Sequence, residues 1–342
     1  VATIKEVAKR ARVSVGTVSN VLSGGVPVSK RLRERVLEVI QQLDYHPNQI
    51  ARSLKIRQTN LIGLIVNDTR NPVIFDLLRG AEEAAWRANY MLIVFDTGDK
   101  TERERHFVSA LRSRRVDGML LIAAGSSNHD HIAAAEESGI PVVCLERELS
   151  GLNLDCVVAD ASSAARQCVN HLVSLGHRRI GLLDGDPNLE TGGRHMSFRQ
   201  TLEEHNIPYD RALVIHRGLR LEDGFEAGLE LLSREQRPTA VLAANSLLAL
   251  GFLNAMKKSG LTCPEDIALI AFDDPIFAEM LHPSLTAIAH PAFEIGNQGM
   301  ELLLKRIVDP GQRRSKIVLG SKLVIRESSG SSRTRHASES RP

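Results

Sequence analysis

The sequence predicts an all-α helix-turn-helix head joined to an α/β core of two doubly wound, parallel-sheet lobes. Three observations carry this. Apolar residues recur at helical spacing, with capping residues in place, through the first 43 positions. Residues 1–57 hold eleven Lys and Arg against four acids, a net +7, while the rest holds 32 bases against 37 acids, a net −5. From Leu61 onward, ten short apolar runs alternate with helical stretches. A basic head on a mildly acidic body suits a phosphate-binding module fused to a second, regulatory part.

In the head, Thr3 precedes the first apolar-periodic stretch and Glu6 follows it by three, a capping box. Ile4, Val7, Ala8 and Ala11 share the inner face of this helix. Ser14 caps a second helix whose Val18, Val21 and Leu22 turn inward. Val15, Gly16, Thr17, Ser19 and Asn20 are left on or near its outer face, and short side chains there let a helix sit deep in a DNA major groove. Ser29 caps a third helix, through about Leu43, with Leu32, Val36, Leu37, Val39, Ile40 and Leu43 completing the core. Tyr45-His46-Pro47 breaks the chain, because the residue before proline avoids the helical region. The segment Asn48–Lys55 is a marginal eight-residue helix.

In the body, strands are expected at Leu61–Val66, Met91–Phe95, Gly118–Ile122, Val142–Leu145 and Cys156–Ala159. A second set follows at Ile180–Leu183, Leu213–His216, Ala240–Ala243, Ile267–Ala271 and Leu285–Ala289. Runs apolar on both faces, separated by helices such as Asp76–Ala88 and Ala161–Leu175, read as buried parallel strands. Ligands of such sheets bind near the carboxyl ends of the strands.

Length and composition bound the remaining classes. At 342 residues, with 43% hydrophobic and 25% charged residues, the chain suits two or three ordinary globular domains. No apolar run reaches the length of a membrane span, and the start has the pattern of a helix rather than an export signal. Cys144, Cys156, Cys168 and Cys263 form no C-x-x-C pair and read as reduced packing residues. No P-loop, G-x-S-x-G or H-E-x-x-H is present. His129-Asp130-His131 reads as solvated rather than metal-binding, and Asp273-Asp274 as a turn after a strand. No cofactor or metal is expected.

The run Val1–Leu22 and the later Tyr45-His46-Pro47-Asn48-Gln49-Ile50-Ala51-Arg52-Ser53-Leu54-Lys55 resemble the head and hinge of the LacI/GalR family of bacterial transcriptional regulators, purine-repressor-like members above all. The likeness continues in Asn60–Val66, Arg115–Gly118, Leu175–Ile180, Arg237–Val241 and Ala271–Asp274, to about Glu327. The resemblance implies a core like the periplasmic binding proteins, and a ligand-responsive, sequence-specific DNA-binding regulator, most simply a repressor, acting in the bacterial cytoplasm. Its partners would be double-stranded operator DNA of near-palindromic sequence, a small-molecule effector and a second copy of the chain, with no membrane.

Position by position, the resemblance makes Val15, Gly16 and Asn20 operator-choosing residues, and gives Thr17 and Ser19 base and phosphate contacts. Thr3, Ser14, Tyr45 and Asn48 join them at the DNA, the last two against its backbone. Leu54 matches a leucine that wedges into the minor groove, flanked by Arg52 and Lys55. The implied organisation is a head at 1–46, a hinge at 47–60 and a core at 61–327. Lobe 1 would hold about 61–159 and 290–318, lobe 2 about 160–289 and 319–327, and a disordered tail would follow at 328–342. The chain would cross between lobes near Ala159–Asp160, Ala289–Pro291 and Val318–Ser321.

For the effector, the resemblance points to Val73, Ile74, Arg147, Asp160, Arg194, Ser246 and Asp274. Three departures stand out. Asn245-Ser246 replaces an Asn-Asp pair, so a carboxylate that takes sugar hydroxyls is missing. Val73 and Ile74 replace aromatic residues that stack on a ring. Ala161 follows Asp160 where a polar residue is common. Losing a charge-assisted acceptor and a stacking face costs on the order of 1 kcal/mol or more each. The effector is therefore expected not to be an ordinary neutral pyranose. An acidic or less hydroxylated metabolite suits the arginines; control by a protein partner, or no effector, stays open. A free-standing solute-binding protein would not need the basic head, and an enzyme would need a nucleophile-base constellation.

Overall fold

A computed structural model describes residues 2–23, 26–45, 58–125, 128–185 and 193–330. The chain divides into two units, Val1–Thr59 and Asn60–Pro342.

The first unit is three helices, α1 (Ile4–Ala11), α2 (Val15–Ser23) and α3 (Lys30–Gln42). The capping box forms: the Thr3 amide donates to Glu6 Oε2 at 2.7 Å, and the Glu6 amide to Thr3 Oγ1 at 3.4 Å. Val7, Ala8, Ala11, Val18, Val21, Val36, Val39 and Tyr45 are buried in a single core, with Ile4, Leu22 and Leu32 half-buried. Two expectations fail here. Leu37 is 45% exposed, because α3 buries only its Val36 and Val39 side. Ser29 precedes α3 but makes no side-chain cap hydrogen bond.

The second unit contains two six-stranded sheets. The first runs in the order β11-β5-β4-β3-β1-β2, all neighbours parallel. Its strands are β1 (Leu61–Val66), β2 (Met91–Asp96), β3 (Gly118–Leu121), β4 (Val142–Leu145), β5 (Asp155–Ala159) and β11 (Lys316–Leu319). The second has the order β12-β10-β9-β8-β6-β7 and is parallel except for the β10–β12 pair. It comprises β6 (Ile180–Asp184), β7 (Val214–His216), β8 (Ala240–Ala243), β9 (Ala268–Phe272), β10 (Thr286–Ala289) and β12 (Lys322–Val324). Every strand predicted from the sequence is present, shifted by no more than a residue or so at an end. The chain passes from sheet to sheet after β5, after β10 and between β11 and β12.

Helices cover both faces of each sheet. In lobe 1 they are α4 (Val73–Arg87), α5 (Thr101–Ser113), α6 (Asp130–Glu137) and α11 (Ala292–Val308). Lobe 2 has α7 (Ala161–Ser174), α8 (Arg194–Glu204), α9 (Leu221–Leu232) and α10 (Ser246–Lys258). The α4–α11 pair crosses at backbone contact through glycine: a Cβ on Gly80 would lie 2.0 Å from the Phe293 carbonyl oxygen, and one on Gly296 2.0 Å from that of Leu77. Neither obstacle is a side-chain tip that can swing away.

Two further expectations are corrected. His131 is not solvated; it is 7% exposed and its Nε2 meets the buried Glu104 at 2.7 Å. A carboxylate from α5 repays the burial that a polar reading of the sequence overlooked. The tail does not begin at Ser328. Ser328 and Ser329 are buried, and Ser328 Oγ donates to the Leu269 carbonyl at 2.7 Å while accepting from the Thr286 amide at 2.8 Å. Residues 331–342 lie outside the described ones. Among the described residues, no helix is long and apolar enough to cross a membrane, and no group of three or more His, Cys, Asp and Glu could hold a metal ion. All four cysteines are free thiols, three of them buried.

Gly296→Ala places a methyl group inside the α4–α11 crossing. Urea unfolding should show a loss of about 1–3 kcal/mol, the range for overpacking. An unchanged midpoint would mean that the helices do not approach as described.

Candidate functional site

The head offers one face. Ser14 Oγ caps the start of α2 by accepting from the Thr17 amide at 3.1 Å, and it shares a 2.9 Å hydrogen bond with Thr17 Oγ1. Beyond the cap, Val15 is 41% exposed, Gly16 is exposed, and Thr17, Ser19 and Asn20 are half-buried at the surface. A Cβ on Gly16 would meet only Ser14 Oγ, at an ordinary 3.6 Å. The fold of the head therefore does not demand glycine there. Thr3 is exposed with its hydroxyl engaged by Glu6, and Tyr45 is buried at 8% in the head core. Asn48, Arg52, Leu54 and Lys55 fall outside the described residues.

The core offers a cavity of about 120 Å³ where the carboxyl ends of both sheets meet. Asn67 follows β1, Ile122 follows β3, and Glu146 and Arg147 follow β4; Asn245 follows β8, Asp273 follows β9 and His290 follows β10. This is the position at which open parallel sheets hold ligands: backbone ends and loops converge there, while side chains fill the rest of the sheet. Of the residues expected at an effector, Val73, Ile74, Arg147 and Arg194 line it.

Asp160, Ser246 and Asp274 do not. Asp160 caps α7, its Oδ1 accepting from the Ser163 amide at 2.8 Å. Ser246 is fully buried one residue past the lining, and Asn245 takes its place. The Asn245 side chain caps α10 through the Leu248 amide at 2.7 Å and donates to the Leu219 carbonyl at 2.8 Å. Asp274 is drawn away by a two-pronged pair with Arg326, at 2.7 and 2.9 Å. Its neighbour Asp273, with φ +73°, turns into the cavity instead. Phe75 is 59% exposed and lines no part of the cavity; the phenyl ring that does line it belongs to Phe272, at the end of β9.

The polar lining is ordered by paired charges. Arg194, 8% exposed, donates from Nη2 to Asp184 Oδ1 at 2.6 Å and stacks its guanidinium 5.0 Å from the Phe272 ring centre. Arg147 donates from Nη1 to the Ala123 carbonyl at 2.9 Å and lies 3.6 Å from Asp99. Asn71 Nδ2 of lobe 1 donates to Asp273 Oδ2 of lobe 2 at 3.3 Å, and His290 Nε2, on the segment that crosses between the lobes, meets Glu146 Oε1 at 2.8 Å. Burial alone would lower the His290 imidazole, but Glu146, and then Asp273, outweigh it and raise it to about 9. Burial pushes the Asp273 carboxyl up, against the pull of His290. Neither His290 nor Asp184 stood out in the sequence; Glu146 entered it only as the neighbour of Arg147 at the cleft edge, and Asn71 only as the turn before Pro72.

Three lining residues carry a buried polar atom without a hydrogen-bond partner among the described residues: Asn67 Oδ1, Arg194 Nε and Ser321 Oγ. Buried polar atoms are satisfied in the great majority of cases, and leaving one bare costs about 1–3 kcal/mol. An acceptor, a donor and a hydroxyl left open around one cavity fit a small polar guest.

The His290 pair has a pH signature. Below about 6.5 the imidazole is protonated in folded and unfolded chains alike, and the pair's contribution is fully present. It is lost as pH rises through about 9, where the folded imidazole gives up its proton. The stability of the protein relative to His290→Gln, followed by urea unfolding, should fall by about 3 kcal/mol at most across that interval and level off above it. A pH-independent difference would remove the charged pair from the account.

Comparison with known proteins agrees with this geometry. A profile of bacterial regulatory proteins of the lacI family matches residues 3–48, and one for the periplasmic binding protein-like domain matches residues 169–329. The Ribose operon repressor of Haemophilus influenzae is 32% identical over 328 residues, covering 96% of this chain and 98% of that protein. The HTH-type transcriptional regulator DegA of Bacillus subtilis is 34% identical over 331 residues, covering 95% and 97%. The structure of the lac repressor dimer bound to operator and the anti-inducer ONPF superimposes with a TM-score of 0.85 at 25% identity, over 96% of this chain and 99% of that one. Head, two-lobed core and near-complete overlap lead to one conclusion: the chain belongs to the LacI family of bacterial regulatory proteins, transcriptional regulators that join a DNA-binding head to an effector-binding core.

Proposed function

We propose that this protein represses transcription by gripping a near-palindromic operator as a dimer, and that a small effector in the interlobe cavity sets how tightly it grips. The observation that carries the reading is the cavity with its open polar atoms, in a chain that also holds a separate head of net positive charge with a small-residue helix face. Val15, Gly16 and Asn20 would choose the operator, with Thr17 and Ser19 on bases and phosphates, and Ser14 and Thr3 holding the helix starts near the backbone. Tyr45 would contribute through the edge of its buried ring. Asn48, Arg52, Leu54 and Lys55 would act at the centre of the site, Leu54 as a wedge between base steps and the bases along the phosphates. Two heads on one DNA face require half-sites about one turn apart. The protein acts in the cytoplasm by binding rather than catalysis.

In the cavity, Arg147, Arg194 and Asp273 are the contacts best placed for a ligand, with Asn67 and Ser321 supplying an acceptor and a hydroxyl. Val73 and Ile74 offer aliphatic contact without stacking. A compact metabolite with an anionic group or few hydroxyls fits this lining better than a neutral pyranose. An effector can shift DNA affinity only by binding one lobe arrangement more tightly than another. The polar Asn71–Asp273 and Glu146–His290 links across the cavity are the contacts such a guest would strengthen or break.

Selection of duplexes from a random pool by the purified protein should enrich a two-fold-related pair of half-sites. Leu54→Ala should then weaken the enriched sequence by about tenfold or more, while leaving binding to bulk DNA and its salt slope nearly unchanged. Enrichment of no sequence, or equal weakening on all DNA, would defeat the reading.

A further inference from the structure

Lobe 2 contains a second cavity, of about 360 Å³, that shares no lining residue with the first. His195, Arg199, Tyr209, Arg211 and His216 line it, all of them donors or cations, and among the described residues no carboxylate does. The parts are organised. His195 Nε2 and the Tyr209 hydroxyl are 2.8 Å apart, the His195 and His216 ring centres lie 5.1 Å apart, and the Arg199 guanidinium stands 5.4 Å from the Tyr209 ring centre. His216 Nδ1 is 2.9 Å from the Gly185 carbonyl, an acceptor, so that nitrogen carries the proton and Nε2 is left with the lone pair.

The acids nearby already hold partners. Asp184 holds Arg194, Asp210 accepts from the Ala212 amide at 2.9 Å and faces Arg179 at 3.9 Å, and Glu203 takes Arg199 Nε at 2.8 Å. That leaves Arg199 with its remaining N–H groups, and the Arg211 guanidinium with no hydrogen bond or ion pair among the described residues. Burial first, then His216 and the neighbouring arginines, hold the His195 imidazole below its ordinary value. Donors and latent cations gathered in a hollow that no carboxylate lines are complementary to an anion.

We propose that this cavity binds a phosphate dianion, free or as the monoester of a small metabolite, held by Arg199, Arg211 and the Tyr209 hydroxyl with His195 taking a proton from solvent as the anion enters. The site is placed to act on the first cavity. At the tip of β6, Asp184 receives Arg194 while the next residue, Gly185, receives His216. On α8, Arg194 and His195 are adjacent. An anion that draws His195 and His216 together therefore bears on the arginine of the effector cavity from two directions.

Calorimetry on the full chain with inorganic phosphate and with glycerol 3-phosphate tests this. At least one should bind saturably, one per chain, with a heat that depends on buffer ionisation because a proton is taken up. Tighter binding of the ester would identify a metabolite, and tighter binding of inorganic phosphate the free ion. Arg211→Gln, at an exposed and unpaired position, should weaken binding at least about tenfold, and Tyr209→Phe should weaken it while keeping the ring contacts. Absence of saturable heat with both probes, or undiminished affinity in both variants, would overturn the proposal.

Discussion

Burial of charge with its hydrogen-bonding capacity only partly met is the constraint on which this core turns. Parallel sheets force it. All strands of a lobe end on the same edge, except the antiparallel β12 in the second sheet, so the loops that carry polar residues accumulate where the two lobes face each other. Asp184 fixes Arg194, Glu146 fixes His290, and Asp273 is brought inward by a left-handed backbone turn. The pairs neutralise one another, so the cavity does not collapse under unpaired charge. The atoms still open, on Asn67, Arg194 and Ser321, keep a cost that a guest can remove.

The same edges make the lobes adjustable. Buried apolar clusters fill each lobe, and glycine lets α4 and α11 touch backbone to backbone. Across the cavity, by contrast, the contacts named are hydrogen bonds of 3.3 and 2.8 Å between polar side chains. A dense core moves as a body, and a polar seam breaks and re-forms at small cost, which is the arrangement a hinge requires.

How much of this was legible in the sequence depended on whether the deciding partner lay nearby along the chain. The runs Leu61–Val66, Val142–Leu145 and Ala240–Ala243 are uninterrupted apolar segments, and they are strands to the residue. The Thr3–Glu6 box is a three-residue pattern and formed as read. The edge strands β11 and β12 hold only exposed and half-buried residues, so only a crossing was visible where they lie. Asp274 was favoured over Asp273 because linear spacing does not reveal a φ of +73°, nor an arginine 52 residues away that claims the second carboxylate. Ser246 gave way to Asn245 for a similar reason: the asparagine caps the helix from the cavity side, and the serine begins the buried turn. His290 was invisible until Glu146, 144 residues earlier, was placed beside it.

The most direct test is the coupling between cavity and DNA. The dissociation constant for a selected operator is measured with and without the low-molecular-weight metabolite fraction of the cell, for the wild type and for Arg194→Lys, which keeps a cation beside Asp184 but loses the planar fork. The account predicts a change of about fivefold or more in the wild type, little or none in the variant, and none when neutral pyranoses are supplied alone. An operator affinity indifferent to every fraction, or one that shifts equally in both proteins, would contradict it.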